Sequence, residues 1–188
     1  MNPAVYVILA LLLAPLLYFA LIYNLLVKAR ARVAESWSGV DLELSRRHDL
    51  IPNLVSTAKG LMTHERELFE EVTALRERAQ RERPGPAGAE QRDTERALGD
   101  ALGRIHARVE NYPELKSNRA MADLMGELAH TEDRIAAALR FYNGNVRDLN
   151  VRCETIPSNG IAAMFGFESA EYFKLDDDLP RRRPDLTF

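Results

Sequence analysis

From Ala4 to Val27 the chain carries no charged residue, and Lys28, Arg30 and Arg32 follow at once. A helix of that length rises ~35 Å, enough to cross a hydrocarbon layer of ~30 Å. Tyr6 and Tyr23 fall near its two ends, where aromatic side chains favour the membrane–water interfaces. The run predicts a transmembrane helix, and with it a protein that works from a fixed place at a membrane surface.

Two other readings fit less well. A cleaved signal peptide has a basic stretch before a shorter apolar core and a small-residue cleavage site, and here no Lys or Arg precedes a run that is too long. A helix buried in a soluble core is seldom uncharged over such a length. Pro15 is expected to kink the span, which bilayers tolerate. Cations follow the span and none precedes it, so the positive-inside rule places the C-terminal part in the cytoplasm and a short N-terminus outside. Lys28, Arg30 and Arg32 can also touch anionic lipid headgroups.

The ~160 residues beyond the span suit one ordinary domain. A net charge of −3 offers no broad basic surface for nucleic acid. One cysteine, Cys153, excludes an intramolecular disulfide, and its place on an apolar helical stripe makes it a structural thiol.

Past the membrane the periodicity is helical almost throughout. Val33, Trp37, Val40 and Leu44 share one face, and Trp37 lies ~20 Å beyond Tyr23 on a continuous helix, so it is expected in the core of the soluble part. Asp49 to Pro52 predicts a kink or a fresh helix start. From Ile51 to Ala79 the pattern predicts one helix with three apolar columns: Leu54, Leu61, Leu68 and Leu75; Ile51, Ala58, Val72 and Ala79; and Val55, Met62 and Phe69. Three columns are too wide for a coiled-coil seam and fit a bundle helix with several neighbours. Arg83 to Ala89, rich in Pro and Gly, reads as a loop.

A second helix to about Asn111 turns Leu98, Leu102, Ile105 and Val109 inward, with Asp100 and Arg104 expected to pair outside. Its Gly99 and Gly103 form a GxxxG spacing that carries little weight outside a membrane span. Ser117 or Asn118 is expected to cap a third helix running to Glu154, with Met121, Leu124, Leu128, Ile135, Leu139, Tyr142, Val146, Leu149 and Cys153 as its stripe. A short helical turn, Gly160 to Phe165, ends at Gly166. The tail from Asp176 onward, with Arg181 to Arg183, is expected to be disordered.

The fold expectation is therefore all-α: an N-terminal transmembrane helix followed by an up-and-down bundle of three to four long antiparallel helices. The divisions are an anchor over 1–27, a cytoplasmic bundle over 28–156, and a C-terminal helical segment and tail over 157–188.

Catalytic motifs are not in evidence. His64-Glu65 begins like HExxH but lacks the second histidine, and one His with one Glu cannot hold a catalytic zinc. His48, His106 and His130 fall on different segments without ligand spacing. No phosphate loop, GxSxG or dinucleotide fingerprint occurs. No metal, cofactor or enzymatic activity is expected. Two polar clusters stand out instead: Arg46, Arg47, His48 and Asp49, and Asn143, Asn145 and Asn150 with Arg147 and Asp148 between them. Each reads first as a hydrogen-bonded network that orients helices, and second as a recognition patch for a partner.

The residues that carry a family likeness are Tyr23-Asn24, Ala34 to Asp41, Arg46 to Val55, Tyr112 to Asn118, Thr131 to Ile135, Tyr142-Asn143, Pro157 to Asn159 and Phe165 to Phe167. In this order they resemble the LemA family of bacterial membrane proteins over nearly the whole chain. The resemblance implies one N-terminal span in the bacterial inner membrane with a helical bundle behind it, and no established reaction, cofactor or catalytic residue. It also hints at envelope functions and, in some bacteria, at membrane proteases as partners. The functional expectation is a membrane-anchored scaffold that touches lipids and binds a second copy of itself or another membrane protein. An adaptor of a membrane protease is the alternative.

Overall fold

Helix α1 (Pro3–Lys59) runs for 57 residues without interruption. This computed structural model of the chain describes residues 3–60, 62, 64–82 and 89–174. The further helices are α2 (Arg66–Arg81), α3 (Ala89–Val109), α4 (Pro113–Lys116), α5 (Arg119–Glu154) and α6 (Ser158–Phe165). Among the described residues there is no strand. The chain is all-α, as expected.

α1 is the one helix among the described residues long and apolar enough to cross a membrane. Almost none of its apolar stretch is buried within the chain, which argues against a soluble-core helix. Its far end nevertheless belongs to folded structure, because Phe19, Ile22 and Val27 pack on a small core made by Leu26, Ile161, Ala162 and Phe167. A signal peptide that is removed would strip that core of half its members. One apolar N-terminal helix of this kind fits a single-pass membrane protein.

The chain divides into two compact units. The first comprises Met1–Gly39 with Arg140–Tyr172. In it Trp37 meets Tyr142 edge-on, ring centroids 5.3 Å apart, and both are buried. Trp37 is the core residue its spacing predicts. The Tyr142 hydroxyl donates to the Glu171 carbonyl at 3.1 Å. α6 stops where Gly166 takes a left-handed conformation, φ +67°, which glycine adopts without a Cβ penalty.

The second unit comprises Val40–Leu139 with Phe173–Phe188. Ile51, Leu54, Ala58, Met62, Phe69 and Val72 form its core with Leu98, Ala101, Leu102 and Ile105 of α3 and with Leu115, Met121 and Leu128. Asn118 caps α5: its side-chain oxygen accepts from the Met121 amide at 3.2 Å, worth ~1 kcal/mol.

Four local expectations are corrected. The helix does not restart at Asp49-Pro52: Asp49 is exposed inside α1, and Pro52 sits on its outer face. The single helix expected from Ile51 to Ala79 is two, because α1 ends before Gly60 and the chain turns before α2. Gly60 opposes helix continuation, and a heptad count cannot see a turn that keeps the columns in phase. Leu61 lies outside the described residues. Arg104 pairs across to Glu71 of α2 at 2.5 Å rather than outside with Asp100 alone. Tyr112-Pro113 ends α3 as expected, but Pro113 then opens α4, a short helix that the pattern missed. The loop residues 83–88 and the tail from residue 175 lie outside the described residues.

Candidate functional site

The Arg46 to Asp49 cluster straddles the surface of α1. Helical geometry turns consecutive residues ~100° apart, so the four cannot share one environment. Arg46 is exposed and pairs with Glu43 at 2.7 Å, and Asp49 is exposed as well. Arg47 and His48 point inward and are fully buried.

A buried guanidinium needs partners, because leaving a charge without them in a low-dielectric interior costs several kcal/mol. Arg47 finds them on two other helices. Its Nη2 donates to Glu95 Oε2 and, at 3.2 Å, to the Glu95 carbonyl on α3. Its Nη1 donates to Glu132 Oε1 on α5 at 3.0 Å. His48 Nε2 lies 3.1 Å from Glu95 Oε1 and 3.3 Å from Oε2. One arginine thus ties α1, α3 and α5 together around a carboxylate that is itself fully buried. Burial alone pushes the Glu95 carboxyl up, but the His48 hydrogen bond and the Arg47 charge outweigh it and hold the group below its ordinary value. Burial works against the Arg47 cation, yet Glu132 and Glu95 more than offset it. Among the described residues, Arg47 Nε and His48 Nδ1 have no hydrogen-bond partner.

This knot forms one wall of an open groove of about 360 Å³. Leu102, Met125 and Leu128 supply its apolar lining, and Arg96, Asp100 and His106 its polar rim. Gly99 and Gly103 also line it. A Cβ at Gly99 would stand 3.6 Å from Arg47 Nη1, in ordinary contact, so the α3 backbone passes close to the buried guanidinium. Glu132 is 41% exposed and is the member of the knot that solvent reaches. The arrangement can hold three helices in register and offer a half-apolar recess. Among the residues that line it, no nucleophile is paired with a base.

The second cluster does different work. Asn150 is buried and clamps one backbone position: its Nδ2 donates to the Ala170 carbonyl at 2.9 Å, and its Oδ1 accepts from the Ala170 amide at 2.8 Å. Asn143 and Asn145 are half-buried, while Arg147 and Asp148 are exposed. Tyr6 is exposed. Tyr23 meets Phe165 and Phe167 edge-on at 4.9 and 5.8 Å. Lys28, Arg30 and Arg32 are exposed, and the Arg30 guanidinium lies over the Phe167 ring at 4.9 Å. His64 is exposed in a turn, and Glu65 pairs with Arg108 at 3.2 Å. Cys153 is half-buried beside the small core of the first unit, where burial raises its thiol. Among the described residues no three His, Cys, Asp or Glu side chains converge as a metal-ligand group.

Glu95 and Arg76 escaped the reading of the sequence, and Glu132 entered it only within the family-like stretch Thr131 to Ile135. The Arg76 Nε donates to the His48 carbonyl at 2.8 Å. For Glu95 a signal exists. It stands three residues before Leu98, in phase with Leu102, Ile105 and Val109, so a carboxylate occupies a place on a buried stripe.

Three curated relatives match most of the chain. It is 29% identical to each of two proteins of Paramagnetospirillum magneticum, magnetosome proteins MamQ 1 and MamQ 2, over 87% of this chain and 70% of theirs. Against magnetosome protein MamQ of Magnetospirillum gryphiswaldense the identity is 28% over 80% of this chain and 64% of the relative. The model of the LemA family matches residues 36–188. That match takes in every residue of the ion-pair knot, and the chain belongs to the LemA family.

Proposed function

We propose that this protein is a single-pass scaffold of the bacterial inner membrane, with a short N-terminus outside and the helical bundle in the cytoplasm, which binds a partner through the groove beside Arg47. The partner is a second copy of the chain or another membrane protein. What carries the reading is the pairing of a long, exposed apolar helix with a recess whose charged wall is neutralised from within. The carboxylates of Glu95 and Glu132 balance the Arg47 charge, so their chemistry serves position more than reaction. The half-apolar recess is suited to receiving an apolar side chain.

Two measurements test this. Cysteines placed at Asn2 and Ala87 in a Cys153→Ser background are probed on intact cells with an impermeant thiol reagent, after permeabilising any outer membrane. Labelling at position 2 alone is expected, and labelling at position 87 alone reverses the orientation. Photo-crosslinking residues at Met125 and Ala129 are then activated in the membrane. An adduct of twice the chain mass, or one with a membrane protein, supports the scaffold. A bare monomer at both positions, with a monomeric size in mild detergent, overturns it.

A further inference from the structure

Thr155 to Phe167 is a second uncharged stretch, bracketed by Glu154 and Glu168. Its helix, α6, lies against the membrane-side part of α1. Phe165 meets Phe19 edge-on at 5.6 Å and Tyr23 at 4.9 Å, and Ile161 and Ala162 close on Leu26. Phe19 stands nine residues before Lys28, ~13 Å along the helix axis, and therefore well inside the apolar span. Phe167 lies between the Tyr23 ring, 5.8 Å away, and the Arg30 guanidinium, which covers it. The chain thus reaches Phe165 beside Phe19 and Tyr23, turns at Gly166 and brings Phe167 under the Arg30 guanidinium.

The outer side of this dip is apolar. Ile156 is 85% exposed, Met164 71% and Phe165 47%. In water that is a poor arrangement for three large hydrophobic side chains. At a lipid surface it is the arrangement to expect, since an interfacial element buries such a face ~5–10 Å into the boundary between headgroups and acyl chains. The backbone at the tip is prepared for that setting too. The Gly166 and Phe167 amides both bond to the Ala162 carbonyl, leaving neither donor to be satisfied by water.

We propose that the segment Ile156 to Phe167 is a second membrane-contacting element, a shallow apolar dip that enters the same leaflet as the basic end of the span and presents Ile156, Met164 and Phe165 to lipid. The proposal rests on the reading of α1 as a membrane span. Its occupant is the lipid leaflet, because the dip is continuous with side chains of the span and its cationic border is Lys28, Arg30 and Arg32, set at headgroup level.

The test uses the full chain in nanodiscs of zwitterionic and anionic phospholipid. Single cysteines replace Met164, Leu17 or Asp123 in a Cys153→Ser background and carry an environment-sensitive fluorophore. Lipids bear a spin label either near the headgroup or near the chain end. The label at 164 is expected to lose about half its emission to the shallow quencher and less to the deep one. The label at 17 should show the reverse order, and that at 123 neither. An unquenched label at 164 beside a quenched one at 17 overturns the proposal, leaves the span intact and assigns the exposed face to a protein. Failure at both positions removes the span and the dip together. Should Cys153→Ser unfold the protein, a photo-crosslinking residue at 164 in the otherwise native chain decides the same question: a lipid adduct supports the dip, and its absence overturns it.

Discussion

Arg76 Nε donates a 2.8 Å hydrogen bond to the carbonyl oxygen of His48, the backbone acceptor whose helical donor would have been the amide of residue 52. Pro52 has no amide hydrogen, and a proline inside a helix ordinarily costs ~3 kcal/mol for that reason and for its clash with the preceding turn. A side chain from α2 supplies the missing donor, so α1 runs on to Lys59 without a break.

The pair predicts a non-additive cycle. Arg76→Met should destabilise the second unit by about 1.5–3 kcal/mol, the range for a hydrogen bond to a charged group. In a Pro52→Ala background the new amide takes over the carbonyl, and the same change should cost less than about 1 kcal/mol. Thermal unfolding of the four proteins in mild detergent, followed by circular dichroism, measures it. Equal losses in both backgrounds would contradict this account.

The two carboxylates on Arg47 should differ in weight. Glu95→Gln leaves a fully buried cation short of its buried counter-charge and is expected to cost about 3–5 kcal/mol. Glu132→Gln touches a group that solvent reaches and should cost about 1 kcal/mol or less. Replacing the knot with Arg47→Met and Glu95→Leu together should recover much of the first loss. Denaturation midpoints in one detergent are sufficient to rank the variants.

Acid sensitivity follows from the same carboxylate. The Glu95 pKa in the folded chain is held below the ordinary glutamate value of about 4.3. The folded state therefore binds fewer protons there than the unfolded one. The stability this confers is fully present above the unfolded value and is lost as pH falls through the folded one. Between pH 7 and 3 the native chain should lose more stability than Glu95→Gln does, with the two curves converging below the ordinary glutamate range. Parallel curves would show that Glu95 titrates normally.

Asn150→Ala removes both hydrogen bonds to Ala170. The expected loss is about 1–3 kcal/mol, and it should be local. Hydrogen exchange at the Ala170 amide should rise by ~5-fold or more, while amides around Leu98 to Ile105 keep their protection.

Periodicity found most of the buried stripe of α5, and the four residues it turned inward on α3 are all buried, because a helix repeats the same environment every turn. It placed Trp37 correctly for the same reason. It failed wherever one side chain altered a rule for another. Pro52 reads as a break unless Arg76 is known to be near, and their separation of twenty-four positions hides the relation. The heptad column of leucines runs unbroken past Gly60, yet the helix ends beside it. The candidate site was half legible. Arg47 and His48 stood out in a polar cluster, but Arg46 and Asp49 came with them and proved to be surface residues. Glu95 and Glu132 were hidden among many carboxylates, since composition does not reveal which charge a fold will bury.

The clamp between Asn150 and Ala170 makes the intervening residues a tied loop. Whatever α6 touches, it touches as a tethered group, with much of its freedom to wander already surrendered when the chain folded. Three exposed apolar side chains on a free peptide of this size would hold a surface weakly. On a loop fastened at both ends, beside a helix that already fixes the distance, the same side chains act at high effective concentration. Strength of attachment would then depend on how the loop is fastened as much as on the residues at its tip.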